Sequence, residues 1–361
     1  MIWLLIIPSL PYFFILLVIY RNLRKVKPFK PEGLSSVKVS VVVACRNEEM
    51  NIPYLLNDLY SQDYSPHLFE VIIVDDNSAD STFETVSSLK QIKNLKTLHN
   101  PARGKKSAIR AGVDAASGEL IITTDADCRP GKRWISSVSG YYNAYKPDMI
   151  IAPVQLEDKH GFLGRFQELE FLSLQGVTAG TAEAGNPVMC NGANLAFTKE
   201  VYLNHSDDLH NDILSGDDIF LLHSLKKQTN SKIAWLSSSE GIVTTSQTAS
   251  LGSFFNQRAR WLSKAKAYDD RFSQLISFVT FIIILTNISL LISGIINQEF
   301  LLLFLTSFFI KSIPDFLILN ETTRRYDKRH LLKWFIPSQI VYPFYVIIVV
   351  CRSLFSGNKW K

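Results

Sequence analysis

Two carboxylates end a strongly apolar stretch of the sequence. The segment ELIITTDADCRP places Asp125 and Asp127 directly after a β-branched run that is typical of a buried strand. Buried charges are costly unless they are paired or bind a cation. Mg²⁺ and Mn²⁺ prefer oxygen ligands and commonly take one or two carboxylates together with substrate phosphates. Because alternate residues of an extended segment point to one side, we predict that this pair holds a metal ion and a diphosphate.

A second pair of carboxylates begins a predicted helix. In LSGDDIFLLHSLKK, Gly216 precedes Asp217 and Asp218, and the apolar residues that follow recur at helical spacing. Capping of the helix start is one explanation for such a pair, and it stays open. The other is a general base, because a neighbouring carboxylate can keep one aspartate basic enough to accept a proton from an attacking hydroxyl.

A third stretch, SFFNQRARWLSKAKAY, places amide, cationic and aromatic side chains on one helical face. Gln257, Arg260 and Trp261 are spaced i, i+3 and i+4. The planar guanidinium of Arg260 can hold a diphosphate leaving group, and Trp261 can stack on a sugar ring. The same pattern also suits an amphipathic helix at a membrane surface, and the two interpretations are compatible.

Apolar runs of strand length alternate with helix-like segments between residues 37 and 153, and these elements would position the carboxylates. Predicted strands cover 37–45, 69–76, 95–98 and 119–127, and predicted helices cover 51–62, about 80–91 and 105–116. Hydrophobicity that is continuous along a strand favours burial on both faces. The sequence therefore predicts an α/β fold with a doubly wound, mostly parallel sheet.

Polar residues follow three of these strands at the point where each one ends. Arg46 to Glu48 follow the first, Asp75 and Asp76 end the second, and Asp125 and Asp127 end the fourth. In doubly wound sheets, ligands bind beyond the carboxyl ends of the strands. Helix capping easily explains a polar residue after one strand, but it does not explain polar residues after three strands at once. We predict a nucleotide site there, and the absence of glycine-rich motifs argues against dinucleotide and P-loop chemistry.

The apolar residues are concentrated in four runs, each close to the roughly 20 residues that cross a bilayer as a helix. The runs cover 1–20, 275–296, 300–319 and 335–351. The first run lacks a basic start and a small-residue cleavage site, which favours an uncleaved anchor over a secretion signal. Prolines and Lys311 interrupt the last two runs, and we expect no charged residue to be paired deep within the runs. The basic residues after the first run predict a cytoplasmic middle section.

Charge and cysteine content exclude several classes of protein. The formal net charge of +5 is explained by the clusters that flank the apolar runs, and the middle section shows no basic, aromatic-interleaved face, so we expect no nucleic-acid partner. The four cysteines show neither metal-ligand spacing nor a disulfide framework, so they are predicted to be reduced thiols.

Six stretches of the sequence form a recognisable set: VSVVVACRNEE, VIIVDDNS, TTDAD, NGANLAF, GDD and QRARW. Together they resemble the membrane-bound family 2 glycosyltransferases, which include cellulose, chitin and hyaluronan synthases and ceramide glucosyltransferase. The match runs in order from about residue 37 to residue 262. This resemblance implies a GT-A fold with flanking transmembrane helices. It also implies an inverting displacement on a nucleotide sugar, with UDP as the expected nucleotide and Mg²⁺ or Mn²⁺ as the expected cofactor.

The resemblance also implies residue roles on the donor side. Asp76, with Asp75 beside it, would contact the nucleotide base or ribose. Asp125 and Asp127 form the D-x-D pair that positions nucleotide and metal. Lys105, which follows a glycine, would lie beside the phosphates.

On the acceptor side, the resemblance assigns the catalytic base to Asp218. The family has a glutamate before this aspartate, whereas this chain has Asp217, so the choice between the two stays open. Asn191 and Asn194 resemble a loop near the acceptor. The residues that would close the diphosphate and acceptor side are Gln257, Arg260 and Trp261.

These observations together predict an integral protein of the bacterial inner membrane with a cytoplasmic catalytic domain. The predicted domains are an anchor at 1–20, a basic linker at 21–36, a GT-A domain at 37–250, an amphipathic interface helix at 251–273 and a transmembrane region at 274–361. We expect single or few sugar transfers to a membrane lipid or lipid-linked acceptor, because about four spans would not readily enclose a polymer channel. Processive polysaccharide synthesis, by a single copy or by an oligomer of this chain, is the alternative. A metal-dependent phosphohydrolase and a non-catalytic membrane scaffold are kept as hypotheses from other classes.

Overall fold

The computed structural model describes residues 2–33, 35–89, 94–209 and 216–355. The end of one predicted helix, at 90–91, the residues 214–215 that precede the Gly216-Asp217-Asp218 stretch, and the terminal residues 356–361 lie outside the described residues. The chain divides into two compact units. The helical unit contains the described residues of Met1–Val26, Asp158–Val188 and Gln247–Gly357, and the sheet unit contains those of Lys27–Glu157 and Met189–Ser246. The domain boundaries expected from the sequence stay predictions.

The strands all lie in the sheet unit and form two sheets. They are β1 Val39–Cys45, β2 Phe69–Asp75, β3 Leu95–His99, β4 Leu120–Asp125, β5 Cys128–Pro130, β6 Met149–Ile151, β7 Val154–Leu156, β8 Leu195–Thr198, β9 Ile233–Trp235 and β10 Val243–Thr245. The large sheet has the order β3-β2-β1-β4-β8-β6-β9, and the small one has the order β5-β10-β7. In the large sheet β8 runs against both of its neighbours, whereas the other adjacent pairs are parallel. The mostly parallel α/β prediction is therefore confirmed.

The helices are divided between the two units. The sheet unit has α2 Ile52–Tyr60, α3 Thr82–Ser87, α4 Lys105–Ala115, α5 Trp134–Tyr145, α7 Lys199–Asn204 and α8 Asp217–Lys226. The helical unit has α1 Ser9–Lys25, α6 Phe162–Glu183, α9 Leu251–Ser263, α10 Arg271–Ile296, α11 Gln298–Arg325 and α12 Phe335–Phe355.

The register of the large sheet brings the predicted carboxylates to one edge. Every residue of β1 and β2 is buried, as their continuous hydrophobicity predicted. Cys45 pairs with Asp75 across β1 and β2, and Ala44 pairs with Asp125 across β1 and β4. Because these strands are parallel, Asp75 and Asp125 lie at the same carboxyl edge. Helix α4 packs closely on β1, since a side-chain carbon at Gly112 would come within 2.4 Å of Val42 Cγ1.

Within the part of the chain that the structure describes, four helices of the helical unit are long and apolar enough to cross a membrane, as the sequence predicted. They cover Leu4–Lys25, Arg271–Ile296, Gln298–Arg325 and Arg329–Phe355. Pro314 and Pro343 lie inside α11 and α12 without ending them. The prolines that weakened the sequence prediction are therefore accommodated within continuous helices.

One sequence expectation about these helices is wrong. Lys311 and Asp315, one turn apart on α11, form an ion pair with 2.5 Å between Nζ and Oδ2. Gln339 of α12 accepts a second hydrogen bond from Lys311 at 2.8 Å, and the hydroxyl of Tyr12 donates to Asp315 at 2.6 Å. The charges persist in this apolar region because each is paired and hydrogen-bonded, and they join α11 to α1 and α12.

Helix α6, which begins directly after Gly161, is buried along most of its length. It packs within the helical unit through two glycines: a side-chain carbon at Gly176 would come within 2.2 Å of Thr322 Oγ1, and one at Gly180 within 2.5 Å of the Ile19 carbonyl oxygen. Only residues without a side chain permit this approach. The segment is thus part of the core of the helical unit.

Candidate active site of a nucleotide-sugar enzyme

Asp125 ends β4 and forms an ion pair with the first residue of α4. The distance between Lys105 Nζ and Asp125 Oδ1 is 2.5 Å. Gly104 precedes α4 with a φ of 99°, a conformation that favours glycine and lets Lys105 begin the helix beside the strand end. Burial acts to lower the pKa of Lys105, but the charges of Asp125, Asp217 and Asp218 outweigh it and hold the pKa well above its usual range. Lys105 is therefore a permanent cation within a cluster of carboxylates.

Asp125 and Asp127 offer ligands that suit a hard divalent ion. Their carboxylate oxygens and the Cys128 sulfur all lie within 4.8 Å of one another. Burial, followed by the charges of both aspartates, raises the pKa of the Cys128 thiol far above its usual range, so the sulfur stays protonated and is a poor ligand. The two half-buried carboxylates remain, and this donor set fits Mg²⁺ or Mn²⁺ with further ligands from phosphate or water.

Asp218, in the first turn of α8, is held against the loop that precedes β8. Its Oδ2 accepts the Gly192 N–H at 2.9 Å, and its Oδ1 accepts the Ile219 N–H at 2.8 Å. A side-chain carbon at Gly192 would lie 3.5 Å from both Asp218 Oδ2 and Lys105 Nζ, so these two groups face the same small space. Asp217 is buried, with 7% of its surface exposed, whereas Asp218 is half-buried. Access therefore favours Asp218 as the proton acceptor, and the role stays a prediction.

Asp75 and Asp76 are almost completely buried and bonded to the chain itself. Asp76 accepts the Gly104 N–H with both oxygens, at 3.0 and 3.1 Å, and the Asn100 amide at 2.5 Å. Asp75 accepts the Ser78 N–H at 3.1 Å. These bonds fix the loop that carries Lys105 and the loop that follows β2. The nucleotide-binding role of the two aspartates stays a prediction, and their hydrogen bonds add a loop-positioning function.

The two asparagines predicted beside the acceptor behave differently. Asn191 is half-buried, and its side chain caps the turn at Gly192–Asn194 by accepting the Ala193 N–H at 3.0 Å. Asn194 is fully buried: its amide donates to the carbonyls of Pro153 and Gly241, both at 2.8 Å, and accepts the Trp134 indole N–H at 2.9 Å. Asn194 therefore supports the loop, and a direct contact with an acceptor is open to Asn191.

Gln257, Arg260 and Trp261 lie on α9, which belongs to the helical unit, and all three are half-buried. Sequence reasoning missed a buried arginine next to Gln257 on the same helix. Arg258 is 4% exposed and contacts both Gln257 and Trp261. A signal for it existed, because an arginine among aromatic residues on the buried face of a helix requires an anionic partner.

The mostly parallel sheet, the carboxylates at its edge and the ion-paired lysine are the arrangement expected of a GT-A glycosyltransferase domain. Residues 40–204 match the family model described as glycosyl transferase family 2. The resemblance predicted from the motifs is thus confirmed: the chain carries a family 2 glycosyltransferase domain.

Individual relatives extend this result. Over 91% of this chain and 84% of the relative, the sequence is 24% identical to poly-β-1,6-N-acetyl-D-glucosamine synthase of Staphylococcus epidermidis. Over 25% of this chain and 28% of the relative, it is 39% identical to undecaprenyl-phosphate 4-deoxy-4-formamido-L-arabinose transferase of Aeromonas hydrophila. A mannosyltransferase of Pyrobaculum calidifontis, solved with GDP-mannose and Mn²⁺, has a similar fold, with a TM-score of 0.61, 17% identity and coverage of 98% and 99% of the two chains.

Proposed function

We propose that this protein transfers a sugar from a UDP-sugar to a hydroxyl of a membrane lipid or lipid-linked acceptor, with inversion and with the help of Mg²⁺ or Mn²⁺. The observation that carries the proposal is the cluster at the carboxyl edge of the large sheet. There Lys105 pairs with Asp125, Asp127 follows two residues later, and Asp218 is in electrostatic contact with Lys105.

The proposed roles follow from charge. A nucleoside diphosphate leaves readily only when its developing negative charge is neutralised. Asp125 and Asp127 would hold the divalent ion, which neutralises charge on the diphosphate when bound. Lys105 would lie beside the phosphates, and the family resemblance assigns Gln257, Arg260 and Trp261 to the diphosphate and acceptor side.

The acceptor hydroxyl needs a base on the face of the sugar opposite the leaving group. Asp218 would accept that proton, and the Gly192 and Ile219 N–H groups fix the direction of its carboxylate. Because the bond to the diphosphate breaks as the bond to the acceptor oxygen forms from the other side, the configuration at the anomeric carbon would invert.

A lipid or lipid-linked acceptor is supported by the four apolar helices and by the relative that is named for undecaprenyl phosphate. A polysaccharide product is the second candidate, because a relative similar over most of this chain is poly-β-1,6-N-acetyl-D-glucosamine synthase. The four candidate spans of the described residues would not readily enclose a polymer channel, which favours the lipid acceptor.

One experiment separates these candidates. Membranes containing the full chain are incubated with labelled UDP-, GDP- and dTDP-sugars, and label is measured in solvent-extracted lipid, in insoluble polymer and as free sugar. Label in lipid is the expected result. Label in polymer favours the synthase, free sugar without acceptor favours a phosphohydrolase, and nucleotide binding without turnover in any lipid extract favours a scaffold.

A further inference from the structure

A buried ion pair lies under the Q-x-x-R-W segment of α9. Arg258 donates to Glu170 of α6 through Nε, at 3.1 and 3.2 Å, and through Nη2, at 2.6 Å. The hydroxyl of Tyr345, on α12, donates to the same carboxylate at 3.0 Å. Arg258, Glu170 and Tyr345 are each exposed by 8% or less. Three helices of the helical unit thus meet at one carboxylate.

The guanidinium of Arg258 also contacts two residues of the Q-x-x-R-W motif. Its Nη1 donates to Gln257 Oε1 at 2.6 Å, and its central carbon lies 4.2 Å from the ring centroid of Trp261. An arginine can make these contacts at once because its donors form a rigid planar fork and its face stacks on aromatic rings. An ammonium group at this position could pair with Glu170, but it has no flat face to stack on Trp261 and no rigid fork to fix the direction of a second hydrogen bond.

Aromatic packing fixes the pair in place. Phe254 lies 4.8 Å from the Arg258 guanidinium and stacks on Tyr345 with 5.3 Å between ring centroids. Phe166 contacts both rings edge to face. Since burial makes a lost partner costly, the carboxylate and the guanidinium hold each other in a single arrangement.

We propose that Arg258 is a positioning residue: fixed by Glu170 and Tyr345, it holds the side chains of Gln257 and Trp261 in the conformation that sugar transfer requires. The inference rests on the proposed function and deepens it. It does not require Arg258 to touch the donor, and it makes α12, a candidate membrane span, part of the support for the motif.

The first test is Arg258→Lys, which keeps the charge beside Glu170 but loses the fork. We expect a nearly unchanged thermal midpoint and a fall in kcat of about 10- to 100-fold, since small misplacements of positioning groups cost this much. Arg352→Lys is the matched control, because Arg352 of α12 also contacts α9 but through Asn256, at 2.9 Å. The control should retain wild-type kcat.

A second variant keeps the proposal testable if Arg258→Lys is unstable. Arg258→Met/Glu170→Met removes both charges, and such replacement of a buried pair by apolar residues is often neutral for stability. We expect the kcat of this double variant to stay low even if its thermal midpoint returns to the wild-type value. Full recovery of kcat together with stability would overturn the proposal, because the pair would then serve folding alone.

A double-mutant comparison with Gln257 distinguishes a positioning role of Arg258 from a purely structural one. If Arg258 acts through Gln257, adding Gln257→Ala to Arg258→Lys should cost less than the product of the two single losses. Independent, multiplicative losses would contradict the inference. Failure of the proposed function can be distinguished from failure of this inference. If the proposed function is wrong, the wild-type protein will not transfer sugar. If only the positioning role is wrong, the Arg258→Lys variant will be fully active.

Discussion

Replacing Asp218 by asparagine should stop sugar transfer and leave nucleotide binding intact. An amide cannot accept the proton of the acceptor hydroxyl, and a positioned general base contributes on the order of 10²- to 10⁴-fold to a rate. This corresponds to about 3 to 5 kcal/mol of activation free energy. Affinity for UDP should be unchanged or higher, because the substitution removes a negative charge close to Lys105.

The same substitution has a predictable structural cost. The carboxylate of Asp218 accepts N–H groups from Gly192 and Ile219 on its two oxygens, whereas an asparagine has a single acceptor oxygen. One N–H is therefore left without its partner, at a cost of about 1–3 kcal/mol when that group is buried. The thermal midpoint must be measured beside the activity so that unfolding is not mistaken for loss of the base.

The assay is label transfer at saturating donor, with UDP affinity measured by calorimetry in the presence of Mn²⁺. Asp114→Asn is the control, because Asp114 is an exposed partner of Arg110 on α4 and such pairs contribute little. Asp217→Asn tests the neighbouring carboxylate. Normal turnover by Asp218→Asn would refute the base assignment, and loss confined to Asp217→Asn would transfer the role to Asp217.

Three further predictions follow from individual contacts. EDTA or Asp127→Ala should each abolish Mn²⁺-dependent UDP binding in calorimetry, and binding that survives both would argue against the carboxylate site. Burial opposes ionisation of Glu70, but hydrogen bonds from Lys96, Ser40 and Ser117 lower its pKa from 4.5 to about 2, so its ionisation stabilises the fold above pH 4.5 and this stabilisation is lost as the pH falls towards 2. The difference in unfolding midpoint between wild type and Glu70→Gln should therefore shrink from pH 7 to pH 3, and a pH-independent difference would contradict this. Gly176→Ala should destabilise the helical unit by about 1–3 kcal/mol in thermal unfolding, whereas Gly252→Ala, whose added carbon would lie 3.9 Å from Ser250 Oγ, should not.

The first half of the sheet could be predicted because its strands are long and continuously apolar. Strands β1, β2 and β4 have six or seven residues each, and their bounds agree with the sequence prediction to within two residues. Five later strands have three residues each, which is too short for hydrophobic periodicity to register. The reversed direction of β8 depends on long-range pairing with β4 and β6, which a single sequence does not reveal.

The carboxylates of the site were predictable from their position at strand and helix ends, but their partners were not. Lys105 and Asp125 are 20 residues apart, and Gly192 and Asp218 are 26 apart, so only the fold brings them together. The Lys311–Asp315 pair is a different case, because its i, i+4 spacing on a helix was visible in the sequence. That pair is missed when Lys311 is treated only as an interruption of the apolar run.

The charge of the sheet-edge cluster argues that donor and cation bind together. Lys105 is coupled electrostatically to Asp125, Asp217 and Asp218, and Asp127 lies within ligand distance of Asp125. The nearby carboxylates outnumber this ammonium and would repel a diphosphate that arrived without a counter-ion. A divalent ion held by Asp125 and Asp127 would offset two of these negative charges, so metal dependence is expected to appear in nucleotide affinity and not in turnover alone.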